Sequence, residues 1–334
     1  MGKNKEKKKR NPVKVLLTVI LVIVGIPVGL LIFHRVKHSM DMKYLEKMGY
    51  YNPVSIGDYS LNVVQFGYKG RGTIVVLSGM GAGMAVDLRT MTRSMENDYR
   101  FIYISRPGWD GSDDVQDDRS VDVIVEEYRK ALKASGVETP VILMAHSMGG
   151  TYATYWLSKY PEEVEAFVNI DGTYVEPVKE EEMAESAPDN TLNKLAIEFG
   201  IYDIMVPLFY KNELNLPPDE WRAYCILNLL SMSSDAVAAE SAAIKRNLNT
   251  TWDAITQTGV PKLYISMRHA VLGDPESQYA YEHELMPYLE KMGPDYQIES
   301  CPGGHFAYRT NPHRCEDSIR NFLELYEKRA LYDR

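Results

Sequence analysis

The stretch Val141-Ile-Leu-Met-Ala-His-Ser147-Met-Gly-Gly150 constrains this chain more than any other. Its apolar run has the length of a buried strand, and the pattern from Thr151 to Tyr160 is that of a helix. The serine therefore stands at an abrupt strand-to-helix turn. A turn of this kind strains the backbone at the serine, exposes its hydroxyl above a sheet and brings two backbones so close that only small neighbours fit. Gly149 meets that need two residues after the serine. Two residues before it stands Ala145, one methyl larger than the usual glycine.

Strand and helix signals alternate on both sides of this turn. Strands are expected at Tyr59–Phe66, with the alternation of an edge strand, and at Thr73–Ser78, Phe101–Ser105, Ala166–Ile170, Lys262–Ser266 and Tyr296–Ser300. Helical spacing runs from Val121 to Ser135, with Gly136 as its stop, and again over Asp317–Glu327. Such alternation predicts an α/β fold, a mostly parallel sheet with helices on both faces. Between Asp171 and Pro261 lie 89 residues, far more than a crossover helix needs. Their helical stretches (Asn190–Phe199, Glu220–Met232, Ala236–Asn247) are expected to form a cap over the carboxyl ends of the strands.

The N-terminus sets a second constraint. Val15 to Phe33 is 19 residues without a charge, about 28 Å as a helix and close to the hydrocarbon thickness of a bilayer. His-Arg-Val-Lys-His follows, not a small-residue cleavage site, which favours an anchor over a removed signal. Seven basic residues against Glu6 give residues 1–14 a net charge of +6, so the rest of a chain of net charge −9 carries −15. The expected topology is a single pass through the cell membrane, N-terminus cytoplasmic and catalytic domain external. The basic tail should also meet anionic headgroups. An acidic body argues against nucleic acid as its main partner. The expected organisation is a basic tail (1–14), a transmembrane helix (15–33), a stalk (34–57), a core (58–173 and 256–334) and a helical cap (174–255). Cys225, Cys301 and Cys315 form no paired metal-ligand motif, and a Cys301–Cys315 bridge stays open.

A serine hydroxyl becomes an effective nucleophile only beside a base, and histidine suits that role near neutral pH. Of the seven histidines, His34 and His38 adjoin the membrane span. His146 adjoins the serine in sequence, and its side chain is expected to point away. His305 lies in Pro302-Gly-Gly-His-Phe306, after a strand and before the last helix, in a loop whose glycines let it reach the sheet edge. It is the expected base, and activity should rise with pH as its ring becomes neutral.

The order of Ser147 and His305, the Gly-Gly-His-Phe string and Arg106-Pro-Gly-Trp-Asp-Gly-Ser112 after a strand together resemble the α/β-hydrolase superfamily over roughly residues 55–330. Some bacterial lipases of that fold carry the same Ala-His-Ser-Met-Gly string. The resemblance implies an oxyanion hole from the backbone N–H groups of Met80 and Met148. The Gly79-Met-Gly-Ala-Gly83 loop is not a dinucleotide fingerprint, because Met84 stands where the last glycine belongs. The resemblance leaves the acid between two residues. The commonest position follows the strand Lys262–Ser266, where the first carboxylate is Asp274. Some lipases instead use the preceding strand, which here ends at Asp171.

These features together imply a membrane-anchored serine hydrolase that cleaves carboxylic esters through an acyl-enzyme, acting on a small-molecule ester or lipid-like substrate. No cofactor or metal is expected. The same triad would also serve an aminopeptidase, a thioesterase or an acyltransferase, and a non-catalytic ligand-binding protein is the alternative from another class. Nothing in the sequence fixes the substrate or the oligomeric state.

Overall fold

Pro12 to Met48 forms one helix, α1, of 37 residues, interrupted by a π turn at Leu21–Gly25. The turn lies just before Pro27, whose ring and missing N–H disturb an i→i−4 ladder. Most large apolar side chains between Val13 and Phe33 are exposed, so α1 is long and apolar enough to cross a membrane. Its C-terminal part behaves differently. Leu45 is fully buried and Asp41 nearly so, because this part docks on the body of the protein. The computed structural model describes residues 11–68, 70–179, 191–266, 278–279 and 281–332.

Eight strands follow: β1 (Pro53–Ser55), β2 (Ser60–Gly67), β3 (Gly72–Leu77), β4 (Tyr99–Ile104), β5 (Val141–His146), β6 (Val164–Ile170), β7 (Lys262–Ser266) and β8 (Tyr296–Ser300). They form one sheet in the order β1-β2-β4-β3-β5-β6-β7-β8. The β1–β2 and β2–β4 pairs are antiparallel, and all pairs from β4 to β8 are parallel. The strand at residues 59–66 is thus not at the edge. Only three residues of β1 cover it, too short a strand to leave an alternation signal.

Alternation along the strands sends side chains to two separate cores. Ile74, Val76, Ile142 and Met144 join α2 (Met84–Thr92) and residues Ala307, Tyr308, Ile319 and Phe322 on one face. Val75, Leu77, Leu143 and Ala145 join α3 (Val121–Ala134) and α4 (Gly149–Lys159) on the other. Both faces of the parallel strands are therefore covered, as the continuous apolar runs require. The long interval before β7 holds α5 (Thr191–Glu198), α6 (Ile201–Phe209), α7 (Pro218–Ser231) and α8 (Asp235–Ala254). Among the described residues, α9 (Met286–Met292), α10 (Ala307–Thr310) and α11 (Pro312–Tyr332) follow β7. The helices α7 and α8 approach the loops at the carboxyl ends of β3 and β4. A Cβ on Gly83 would meet the Tyr224 ring, and one on Gly108 would meet the Ser234 side chain.

Candidate active site

Ser147 joins β5 to α4 with φ of 53°, a left-handed conformation that costs a non-glycine residue energy and is held by its surroundings. Its carbonyl accepts hydrogen bonds from Gly150 N (2.8 Å) and Thr173 N (2.8 Å), which fix the turn from both sides. The small neighbours have a direct reason. A Cβ on Gly149 would overlap the Leu77 carbonyl, and one on Gly79 would stand 2.5 Å from Ser147 Cβ. Ala145 is fully buried in the core that Leu77 and α4 share, and its one extra methyl is accommodated there.

The Gly79 approach places the loop after β3 directly beside Ser147. Met80 follows in that loop, and Met148 follows the serine. Among the described residues neither backbone N–H donates to a carbonyl of the main chain outside the helices and strands. A buried cation anchors the loop. Arg106 Nη1 donates to Ser78 O (2.8 Å) and Tyr128 Oη (3.0 Å), and its Nη2 donates to Gly79 O (2.9 Å). Arg106 Nε lies 2.7 Å from Glu240 Oε1 of α8, a charge contact whose N–H is not aligned for a hydrogen bond. Glu240 also accepts from Tyr152 Oη (2.5 Å) and Trp109 Nε1 (3.1 Å). Burial opposes the Arg106 charge, but Glu240 and the tyrosines around it outweigh that cost and hold the guanidinium well above its ordinary pKa.

His305 stands in the loop between β8 and α10. Its Nδ1 donates to Asp171 Oδ2 at 2.7 Å. Asp171 itself has φ of 44° at the end of β6, where its N–H donates to Ile265 O (2.8 Å). This strained turn aims the carboxylate at the imidazole. The His305 side chain is 43% exposed and that of Asp171 only 13% exposed, so the ring reaches solvent while its partner is held in the protein. The structure thus joins Asp171 to His305, whereas Asp274 lies outside the described residues.

His146 has a role that its expected direction did not reveal. Its side chain turns away from Ser147 to the opposite face of the sheet, and there it packs beneath the His305 loop. The two rings lie 4.6 Å apart between centroids, and His146 Nε2 donates to the His305 carbonyl at 3.0 Å. Phe306 and Tyr308 pack on the same ring. Burial pushes the His146 pKa down to about 4, with the hydrogen bond to His305 opposing, so the ring is neutral near pH 7. Period-two alternation along β5 carried the signal. It places His146 on the face of Ile142 and Met144, the face that α10 covers.

Cys301 and Cys315 are buried free thiols whose sulfurs lie 3.3 Å apart, and Cys225 is a third free thiol. No cluster of metal-ligating side chains is present among the described residues.

A profile described as the alpha/beta hydrolase fold matches residues 72–250, more than half of the chain. The chain belongs to the α/β-hydrolase fold family. It is 33% identical over 147 residues to the uncharacterised protein YbdG of Bacillus subtilis (strain 168), covering 44% of each chain. It is 30% identical over 83 residues to an uncharacterised protein of Schizosaccharomyces pombe, covering 25% of this chain and 16% of that one. The matches thus span less than half the length of these relatives.

Solved structures share the fold over more of the chain. A thermophilic esterase from Thermogutta terrifontis superposes with a TM-score of 0.60 at 16% identity, over 82% of this chain and 98% of that one. A membrane phospholipase A superposes with 0.56 at 20% identity, over 94% and 97%. A haloalkane dehalogenase from Agrobacterium tumefaciens gives 0.58 at 16% identity, over 82% and 96%. At such identities the likeness is one of fold.

Proposed function

We propose that this chain is a serine hydrolase of carboxylic esters, held at a membrane by α1. The observation that carries the reading is the pairing of a left-handed Ser147 at the β5–α4 turn with a His305 ring oriented by Asp171 at 2.7 Å. The fold alone does not choose the bond, since an esterase, a phospholipase and a dehalogenase share it. A hydroxyl nucleophile with an imidazole base favours acyl transfer.

Ser147 Oγ attacks the ester carbonyl carbon as its proton passes to His305 Nε2. The electron pair of the carbonyl moves to oxygen, where the backbone N–H groups of Met80 and Met148 receive it. Losing one such donor costs about a hundredfold to a thousandfold in kcat in another hydrolase. As the carbonyl re-forms, the C–O bond to the alcohol breaks and the leaving oxygen takes the proton from His305. Water then repeats the sequence and frees the acid. Asp171 keeps the ring in the tautomer that leaves Nε2 free to accept, and it stabilises the imidazolium. In this reading residues 174–255 are a cap that bounds the substrate. Residues 58–173 and 256–334 form the core, and the N-terminus is cytoplasmic with the body outside.

A fluorophosphonate, which phosphonylates activated serines with loss of fluoride, tests the reading. Labelling of the wild type that is lost in Ser147→Ala and strongly reduced in His305→Ala is expected. A folded wild type that takes up no label would sink the proposal.

A further inference from the structure

The helix α6 has its polarity reversed for a surface in water, and α5 beside it exposes Leu192 and Leu195 along with the ion-paired Lys194 and Glu198. Asp203 of α6 is turned inward, with its side chain 10% exposed, against His34 Nδ1 (2.7 Å) and Lys37 Nζ (3.2 Å) of α1. The outward side chains are apolar. Leu208 and Phe209 are each 70% exposed and Leu192 is 82% exposed, with Ile204 and Met205 beside them. A helix on an aqueous surface buries such residues and exposes its carboxylate. A contiguous apolar patch of this kind marks a contact with another phase or another molecule.

Its position names the occupant. The uncharged run of α1 ends at Phe33. Gly200, at the start of α6, lies directly against that residue, where a Cβ would be 3.4 Å from Phe33 Cδ1. The exposed apolar surface of α1 therefore continues onto α6 at the level where the span leaves the bilayer. Between them an apolar groove of about 500 Å³ is lined by Phe33, Val36, Met40, Val206, Pro207 and Ile226. Lys37 and Arg222 stand at this groove, both paired with Asp41, so the polar edge of the groove lies just past the end of the uncharged run.

We infer that α5 and α6 form a second membrane contact: their apolar face enters the acyl region of the same leaflet from which α1 emerges, and the occupant of the face is a phospholipid bilayer. The inference rests on the membrane-anchored reading and deepens it. The helices after β6 would then open onto lipid, and the substrates reached would be long-chain esters lying in the leaflet.

Tryptophan emission in the full chain tests this, with phosphatidylcholine vesicles whose acyl chains carry bromine as the quencher. Val22→Trp reports on the span, Leu208→Trp on α6, and Tyr68→Trp on a remote exposed turn. Emission from the four native tryptophans is subtracted with the wild type. The expected result is loss of the added emission for Val22→Trp and Leu208→Trp but not for Tyr68→Trp. Quenching at residue 22 without quenching at 208 overturns the inference and leaves the anchor standing. No quenching at either removes the anchor and the inference together. Shielding of residue 208 that appears only at high protein-to-lipid ratio shows a second copy on the face and also overturns it.

A second measurement compares substrates. In Leu208→Asp with Phe209→Asp, hydrolysis of a vesicle-borne long-chain ester should fall at least about tenfold relative to a short soluble ester, the effect of losing roughly one buried leucine-sized contact. An unchanged ratio overturns the inference.

Discussion

At the scale of single residues, His146 is the side chain that holds the loop carrying His305, the proposed base. It is given no proton or bond to transfer in the proposed reaction and acts through His305, whose carbonyl its Nε2 holds at 3.0 Å and whose ring lies 4.6 Å from its own. His146→Ala should therefore lower kcat about three- to tenfold with KM little changed, the loss expected for one hydrogen bond that positions a catalytic group. His146→Gln, whose amide can still donate, should recover most of that loss. Steady-state kinetics on all three proteins checks it, and an alanine variant at full kcat would remove His146 from the site. The depressed pKa makes a separate prediction for stability. The folded value of about 4 lies below the ordinary 6.5, so the unfolded chain binds the extra proton first as pH falls. The neutral ring contributes stability that is fully present above pH 6.5 and is lost as pH falls through 4, on the order of 3 kcal/mol. Urea unfolding at pH 7 and pH 4 should show a smaller loss in His146→Gln than in the wild type.

At the scale of elements, the turn at Ser147 was legible because its causes are local. An apolar strand, a following helix and small residues at 145 and 149 are all contained in ten consecutive positions. His305 was legible for a similar reason, its glycines lying beside it. The acid was not. Choosing between Asp171 and Asp274 requires knowing where β6 ends relative to the loop after β8, and β6 and β8 meet only across β7. The contact between Arg106 and Glu240 was still less visible, since 134 positions separate two residues that only the packing of α8 on α4 brings together. Yet this pair sets where the loop after β3 lies. Glu240→Leu alone should destabilise the protein by about 3–5 kcal/mol, because Arg106 is left charged in the interior. Adding Arg106→Met should restore most of that stability, since neither partner is then unpaired. Activity should not return with it. Ser78 O and Gly79 O would have lost the guanidinium that fixes them, and the Met80 N–H beyond them would drift from the oxyanion. Recovery of both thermal stability and kcat in the double variant would show that the pair serves folding alone.

At the scale of the whole molecule, the long apolar helix α1 and the body that carries Ser147 are one packed unit. From Phe33 to Leu45 the chain rises about 18 Å as a continuous helix, and at the far end Leu45 is fully buried in the core beside α2 and α7. Asp41 accepts from Arg222 of α7 (3.3 Å), and Tyr44 Oη donates to the Asp219 carbonyl at the start of α7 (2.9 Å). A body tethered by a loose linker would be indifferent to side chains in the linker. This one should not be. Leu45→Ala removes a fully buried side chain and should cost about 2–5 kcal/mol. Removing residues 1–32 takes away the basic tail and a run in which no described side chain is buried, and it should leave the melting temperature of the remainder little changed. Removing residues 1–48 takes away Leu45 and both polar contacts to α7, and it should lower the melting temperature by at least as much as Leu45→Ala does. Thermal unfolding of the three proteins in one detergent decides the matter. If the two truncations melt alike, the docking of α1 carries no stability, and the body is free to turn on its anchor. If only the longer truncation falls, α1 is fixed on the body, and in the proposed membrane-anchored reading it would set the orientation of Ser147 relative to the span.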